Sequence, residues 1–166
     1  GSAQPKPKLP LRIHLESIRP GQNPDVVLVQ IVVQNPGPRA YPLPVGRNGD
    51  LYLKPGNRGR RQFWFSLQEQ RAKGPYTVPG GGPFSSSDTP DSVMIVPAGG
   101  AVRVRYSVNL QGAIRDGRRN GKTEIRLRAE CGESRYLDDP KEAYIMDGWA
   151  SPNPVRSDNE VPLPLP

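Results

Sequence analysis

The stretch that decides the fold is Ser92-Val93-Met94-Ile95-Val96-Pro97-Ala98-Gly99-Gly100, continued by Ala101-Val102-Arg103-Val104-Arg105-Tyr106-Ser107-Val108-Asn109-Leu110. A short apolar strand meets a Pro-Ala-Gly-Gly corner, and a strictly alternating strand follows. Val102, Val104, Tyr106 and Val108 take one side, and Arg103, Arg105, Ser107 and Asn109 take the other. Period-two patterning with one dry and one wet face predicts a β-sheet that covers a core on one side.

The same signal recurs outward from this pair. Leu11, Ile13 and Leu15 alternate with Arg12, His14 and Glu16, up to a stop at Pro20-Gly21. Val26 to Gln34 is the most apolar run and predicts a central strand covered on both faces, or one with a bulge, ending at Asn35-Pro36-Gly37-Pro38. Tyr41-Pro42-Leu43-Pro44-Val45 reads as an edge or connector, because its prolines lack ladder donors. Asp50 to Leu53 is a short strand, and Arg61, Phe63, Phe65 and Leu67 alternate with Gln62, Trp64 and Ser66. Lys122 to Cys131 is strict again, with Glu124, Arg126, Arg128 and Glu130 on its wet face. Val161-Pro162-Leu163-Pro164-Leu165 suits an edge strand whose proline side faces solvent. Residues 68–91 and 132–148 read as long loops, and 111–121 as a charged loop.

Composition agrees. Gly 18 and Pro 21 in 166 residues is about twice the usual combined share of about 12%, which starves helices and feeds turns. The length suits one domain, expected over 11–166, that buries roughly 70% of its unfolded surface. About seven or eight strands without a convincing helix predict an all-β, antiparallel sandwich, with a closed barrel as the alternative, against which the two proline-bearing edge segments argue. Gly1-Ser2, with no initiator Met, reads as a vector scar. The Pro/Lys tail after it, up to Pro10, reads as disordered and as what remains when a signal peptide or lipoprotein anchor has been trimmed. Export to the periplasm, cell surface or medium is the resulting expectation. No apolar run reaches the length of a membrane span.

The ordered set of motifs carries a resemblance. It comprises the opening alternating strand, the valine-rich strand running into Asn35-Pro36-Gly37 and the Phe63-Trp64-Phe65 strand. The Pro97-Ala98-Gly99-Gly100 corner, Lys122 to Ala129, the Trp149 segment and the terminal Ser157 to Leu163 strand complete it. Together they resemble the immunoglobulin-like or fibronectin-type-III-like domains of exported bacterial proteins, across most of 11–165. The Cys-Trp-Cys pattern of antibody domains is absent. The resemblance implies a non-catalytic adhesion, spacer or accessory module, and some such domains resemble small proteinase inhibitors. Fold alone does not carry function across.

The inventory of reactive groups excludes much chemistry. Cys131 is the single cysteine, so an intramolecular disulfide and a multi-cysteine metal site are excluded. It alternates in phase with Ile125, Leu127 and Ala129, which reads as a small core residue. His14 is the single histidine and lies on the polar phase of its strand, a poor base for a catalytic triad. Gly117 to Thr123 falls one residue short of a phosphate-binding loop and runs into a strand where the loop needs a helix. Asp138, Asp139, Glu142 and Asp147 offer oxygens to calcium without a recognised loop spacing. No catalytic residue, metal or cofactor is assigned. A hydrolase with carboxylates in the long loops is the weakest reading.

Binding is the stronger one. The net charge of +7 permits a polyanionic partner. No zinc-finger spacing, aromatic RNA-binding motif or basic helix points to nucleic acid. The candidate ligand-binding residues are Trp64, Trp149 and Tyr144, whose planes suit sugar stacking or a protein interface, and Arg103, Arg105, Arg126 and Arg128. Pairing of strands 101–110 and 122–131 would put the four arginines on one face, with ion pairs to Glu124 and Glu130. Another protein, a cell-envelope component or a glycan are the partners this suggests.

Overall fold

The computed structural model describes residues 9–44, 51–53, 59–78, 93–137 and 154–165. Eleven strands and one helix occur among them, more than the seven or eight strands expected, because several are short pieces of two to four residues. The first sheet runs β1 (Arg12–Pro20), β2 (Val26–Gln34) and β8 (Ala101–Asn109), all antiparallel. β2 pairs with β8 residue for residue, from Val26 opposite Asn109 to Gln34 opposite Ala101. Its inward residues Val27, Val29, Ile31 and Val33 are buried, while Leu28 on the other face is 47% exposed. The expectation of a strand covered on both faces is therefore corrected: the valine run owes its continuity to β-branched residues that also suit a half-exposed face.

The second sheet is built on β5 (Gly59–Arg71) and β9 (Glu124–Leu137), paired from Gly59 opposite Leu137 to Glu69 opposite Leu127. β4 (Leu51–Leu53) and β6 (Gly74–Thr77) lie along β5. β10 (Val155–Arg156) and β11 (Val161–Pro164) lie along β9. In β11 the valine and leucine are half-buried and the prolines exposed, the edge geometry expected from proline's missing N–H. Two loop readings are corrected here. Residues 68–77 are strand, turn and strand, and 132–137 continue β9. The rest of those loops lies outside the described residues.

The sheets face each other across one core. Phe65 of β5 stacks on Tyr106 of β8 with ring centroids 5.1 Å apart, and Tyr106 Oη donates to the Ser66 carbonyl at 2.9 Å. Ile31, Val33, Leu67, Leu127 and Ala129 fill the space between, with no exposed surface. Cys131 is fully buried among them, as its alternation implied, and burial pushes its thiol well above the usual range.

Along one seam the sheets are stitched together. Ser157 bridges Ile13 in parallel, Asp158 N donates to Ile13 O, and Asn159 exchanges two side-chain bonds with the backbone of Leu15. At the end of the β2–β8 ladder the chain bends into a second ladder, β3 (Tyr41–Pro44) with β7 (Val93–Val96). Gly99 makes that corner with φ of 70°, a conformation glycine adopts without the usual steric cost, and Gly100 N donates back to Pro97 O.

The charged loop expected over 111–121 is a helix, α1 (Gln111–Arg119). Leu110, Ala113, Ile114 and Gly117 are its buried stripe, at the i, i+3, i+4, i+7 spacing of one helical face. Arg118 and Arg119 sit in its last turn, where they complement the helix dipole. The helix carries the chain from β8 in one sheet to β9 in the other.

Candidate functional site

The outer face of β1, β2 and β8 carries four exposed arginines, 12, 19, 103 and 105. Alternation along each strand sends Arg12, His14 and Arg19 of β1, Leu28 and Gln30 of β2, and Arg103 and Arg105 of β8 to that face. The ladders set them in rows: His14, Val32 and Arg103; Ser17, Gln30 and Arg105; Arg19, Leu28 and Ser107. A bulge between Leu15 and Ser17 shifts the register of β1 and admits Glu16 beside Gln30.

One relay of hydrogen bonds crosses the sheet. Arg103 Nε donates to Glu16 Oε1 at 3.1 Å. The Gln30 amide donates to Glu16 Oε2, and Arg105 Nε donates to Gln30 Oε1 at 2.8 Å. The Gln30 amide and then the Arg103 guanidinium hold the Glu16 carboxyl below its usual range. Glu16 thus orients both arginines without neutralising the face. Four arginines, 12, 19, 103 and 105, stand against this one carboxylate on the outward positions of the three strands. Arg103 remains 71% exposed. Beside Arg105 a shallow depression of about 140 Å³ is lined by Ser17, Arg19, Leu28, Val29 and Gln30. His14 Nδ1 lies 2.8 Å from Asp158 at the rim, both exposed, as expected of a surface histidine.

The four expected arginines do not share a face. β8 and β9 belong to different sheets, so Arg126 and Arg128 stand apart from Arg103 and Arg105. The expected ion partners are corrected with them. Arg103 takes Glu16 and Arg105 takes Gln30, while Arg126 takes Glu160 at 2.9 Å and Glu124 at 3.9 Å. Alternation fixes which way a side chain points, not which strand lies next to it. Trp64 is placed in β5 opposite Gly132, but its side chain lies outside the described residues, as do Tyr144, Trp149 and the acidic run 138–147.

A second polar cluster had no clear sequence signal. Ser66, Gln68 and Glu130 occupy the outward phase of β5 and β9 yet are buried. Gln68 Nε2 donates to Glu130 Oε2 at 2.9 Å, the Thr77 hydroxyl reaches the same oxygen at 3.4 Å, and Arg156 Nε lies 3.7 Å from it. Burial pushes the Glu130 carboxyl above its usual range, against the pull of Arg156. A third cluster is structural. The buried Glu69 carboxylate holds Arg71 Nε at 2.6 Å and Lys122 Nζ at 3.8 Å, and the Arg71 guanidinium stacks over Tyr76 at 4.0 Å. It ties the β5–β6 hairpin to the turn after α1.

Among the described residues no three His, Cys, Asp or Glu side chains cluster to hold a metal ion. No helix among them is long and apolar enough to cross a membrane.

No family model matches the chain, and no curated protein matches it. Eleven chains of known structure are similar to it. One is the solution structure of a candidate late embryogenesis abundant (LEA) protein, 13% identical, covering 93% of this chain and 72% of that one, with a TM-score of 0.37. At that score the likeness carries no conclusion about fold or function.

Proposed function

We propose that this chain is a non-catalytic interaction module, an immunoglobulin-like sandwich whose β1–β2–β8 face binds an anionic partner. The observation that carries the reading is the imbalance on that face, with Arg12, Arg19, Arg103 and Arg105 against Glu16 on the strands and Asp158 at the rim. Guanidinium groups are weakly hydrated, planar donors suited to carboxylate, sulfate and phosphate. Their strand spacing repeats an anion site about every 7 Å, two residues of rise, which suits an extended polyanion better than a small ligand. Facing sheets, the Phe65–Tyr106 stack and the proline-bearing edges support the sandwich reading.

The partner classes are an acidic protein or a cell-envelope polyanion, and export forms part of the proposal. Retention on immobilised heparin tests the face. Arg103→Ser with Arg105→Ser elutes at clearly lower salt than the parent, and Arg126→Ser does not. Equal elution of all three contradicts the reading. Fractionation of cells making the full open reading frame tests export, and recovery in the cytosol alone contradicts it.

A further inference from the structure

Among the described residues β8 pairs with β2 alone, which leaves its second edge open. The opposite seam, along β1, is closed by Ser157, Asp158 and Asn159. The phase of the ladder identifies what the open edge presents. Asn35 N donates to Gly100 O at 2.9 Å, and Leu110 N donates to Asp25 O at 2.6 Å. Both bonds continue the β2–β8 register, and both fall on even-numbered residues of the β8 side. Bonded pairs in an antiparallel ladder recur at every second residue. Val102, Val104, Tyr106 and Val108 therefore spend their N–H and C=O groups on β2. Ala101, Arg103, Arg105, Ser107 and Asn109 direct theirs to the open edge. The same odd-numbered residues carry the exposed side chains. Backbone donors and acceptors thus alternate in step with Arg103 and Arg105.

We propose that this edge takes an extended acidic segment of another protein by strand addition, an inference that rests on the anion-binding reading of the face. Main-chain bonds to the odd-numbered residues would supply pairing. Acidic residues at every second position of the incoming strand would stand opposite Arg103 and Arg105 on the outer face. Apolar residues between them would continue the inner row of Val102, Val104 and Tyr106. A second copy of this chain fits poorly. The full-length antiparallel register of two β8 edges sets Arg105 against itself, with both Arg103 side chains on the diagonal, and like charges placed opposite destabilise a ladder. The arginines thus guard the edge against indiscriminate pairing and select for acidic strands.

The test combines amide exchange by NMR with capped peptides that alternate valine and glutamate. In the free protein the amides of Arg103, Arg105 and Ser107 exchange fast, while those of Val104 and Tyr106 are protected. The Val/Glu peptide protects the first set, a Val/Lys peptide does not, and Arg103→Glu with Arg105→Glu weakens binding about tenfold or more. A Val/Glu peptide N-methylated at alternate residues keeps its charge but cannot pair, and it fails to bind. Arg105 and Ser107 amides already protected in the free protein would mean that the chain itself fills the edge, and would overturn the proposal. Equal binding of the N-methylated peptide overturns strand addition and leaves the anion-binding face standing. Failure of both the peptides and a heparin oligosaccharide removes the two readings together.

Discussion

Tyr106 donates its hydroxyl to the backbone carbonyl of Ser66 at 2.9 Å, joining β8 of one sheet to β5 of the other through the core. The ring above that bond stacks on Phe65, so one residue supplies both apolar contact and a directed polar link. Tyr106→Phe keeps the stack and leaves the carbonyl short of a donor. The expected cost is about 1–2 kcal/mol, read as a lower urea midpoint with unchanged slope. An unchanged midpoint would show that the bond contributes nothing.

Burial raises both the Tyr106 hydroxyl and the Cys131 thiol, so the fold favours their protonated forms. Groups raised in the folded state contribute stability that is complete below their unfolded values and is lost as pH rises above them. Stability is therefore expected to fall above about pH 8.5, where unfolded cysteine ionises, and more steeply above about pH 10, where unfolded tyrosine does. Cys131→Ala removes the first phase. In the native protein Cys131 is also expected to resist thiol reagents until urea unfolds the chain. Rapid labelling of native protein would contradict its burial.

Asn35 is 1% exposed at the corner between the two ladders. Its side-chain amide donates to Arg39 O at 2.7 Å and Val96 O at 3.1 Å, and its side-chain oxygen accepts from Gly37 N at 3.1 Å. Its own N–H and carbonyl serve Gly100 O and Gly99 N. Asn35→Ala strands one donor and two acceptors and is expected to cost about 2–4 kcal/mol, by thermal or urea unfolding. A change under about 0.5 kcal/mol would show that water replaces the side chain.

Glu130 tests the cluster on the outer face of β5 and β9. Its carboxyl is raised by burial, so the charged form opposes folding and the contribution fades as pH falls toward its unfolded value near 4.5. Stability should rise between neutral and mildly acid pH through this group. Glu130→Gln, which still accepts from Gln68, is expected to flatten that rise and leave stability at pH 7 equal or higher. A large loss at pH 7 would instead show that the Arg156 ion pair dominates.

The strands were readable because each depends on near neighbours. Alternation in 12–15, 101–109 and 124–129 matches the observed burial and fails at Glu130, and Asn35-Pro36 and Gly99 mark the turns. α1 was hidden by Gly112 and Gly117, two weak helix formers in nine residues. At Gly117 a Cβ would stand 2.7 Å from Leu165 Cδ1, so that side chain would have to shift, whereas at Gly112 a Cβ would meet nothing within 4 Å. β6 was obscured by Pro75. The arginine face was half readable. The exposure of Arg103 and Arg105 follows from period two, but their neighbours follow from α1 moving the chain between sheets. Glu16 came within reach through a bulge that lies in β1, whereas the valine run suggests one in β2.

The proposed function puts binding on the outer face of β1, β2 and β8. Chemical-shift mapping with a heparin oligosaccharide at low salt tests it most directly. Saturable shifts are expected at Arg19, Leu28, Gln30, Arg103 and Arg105, weakening as salt is raised, with β9 unmoved. Shifts centred on Arg126 and Arg128, or none at any residue, would contradict it.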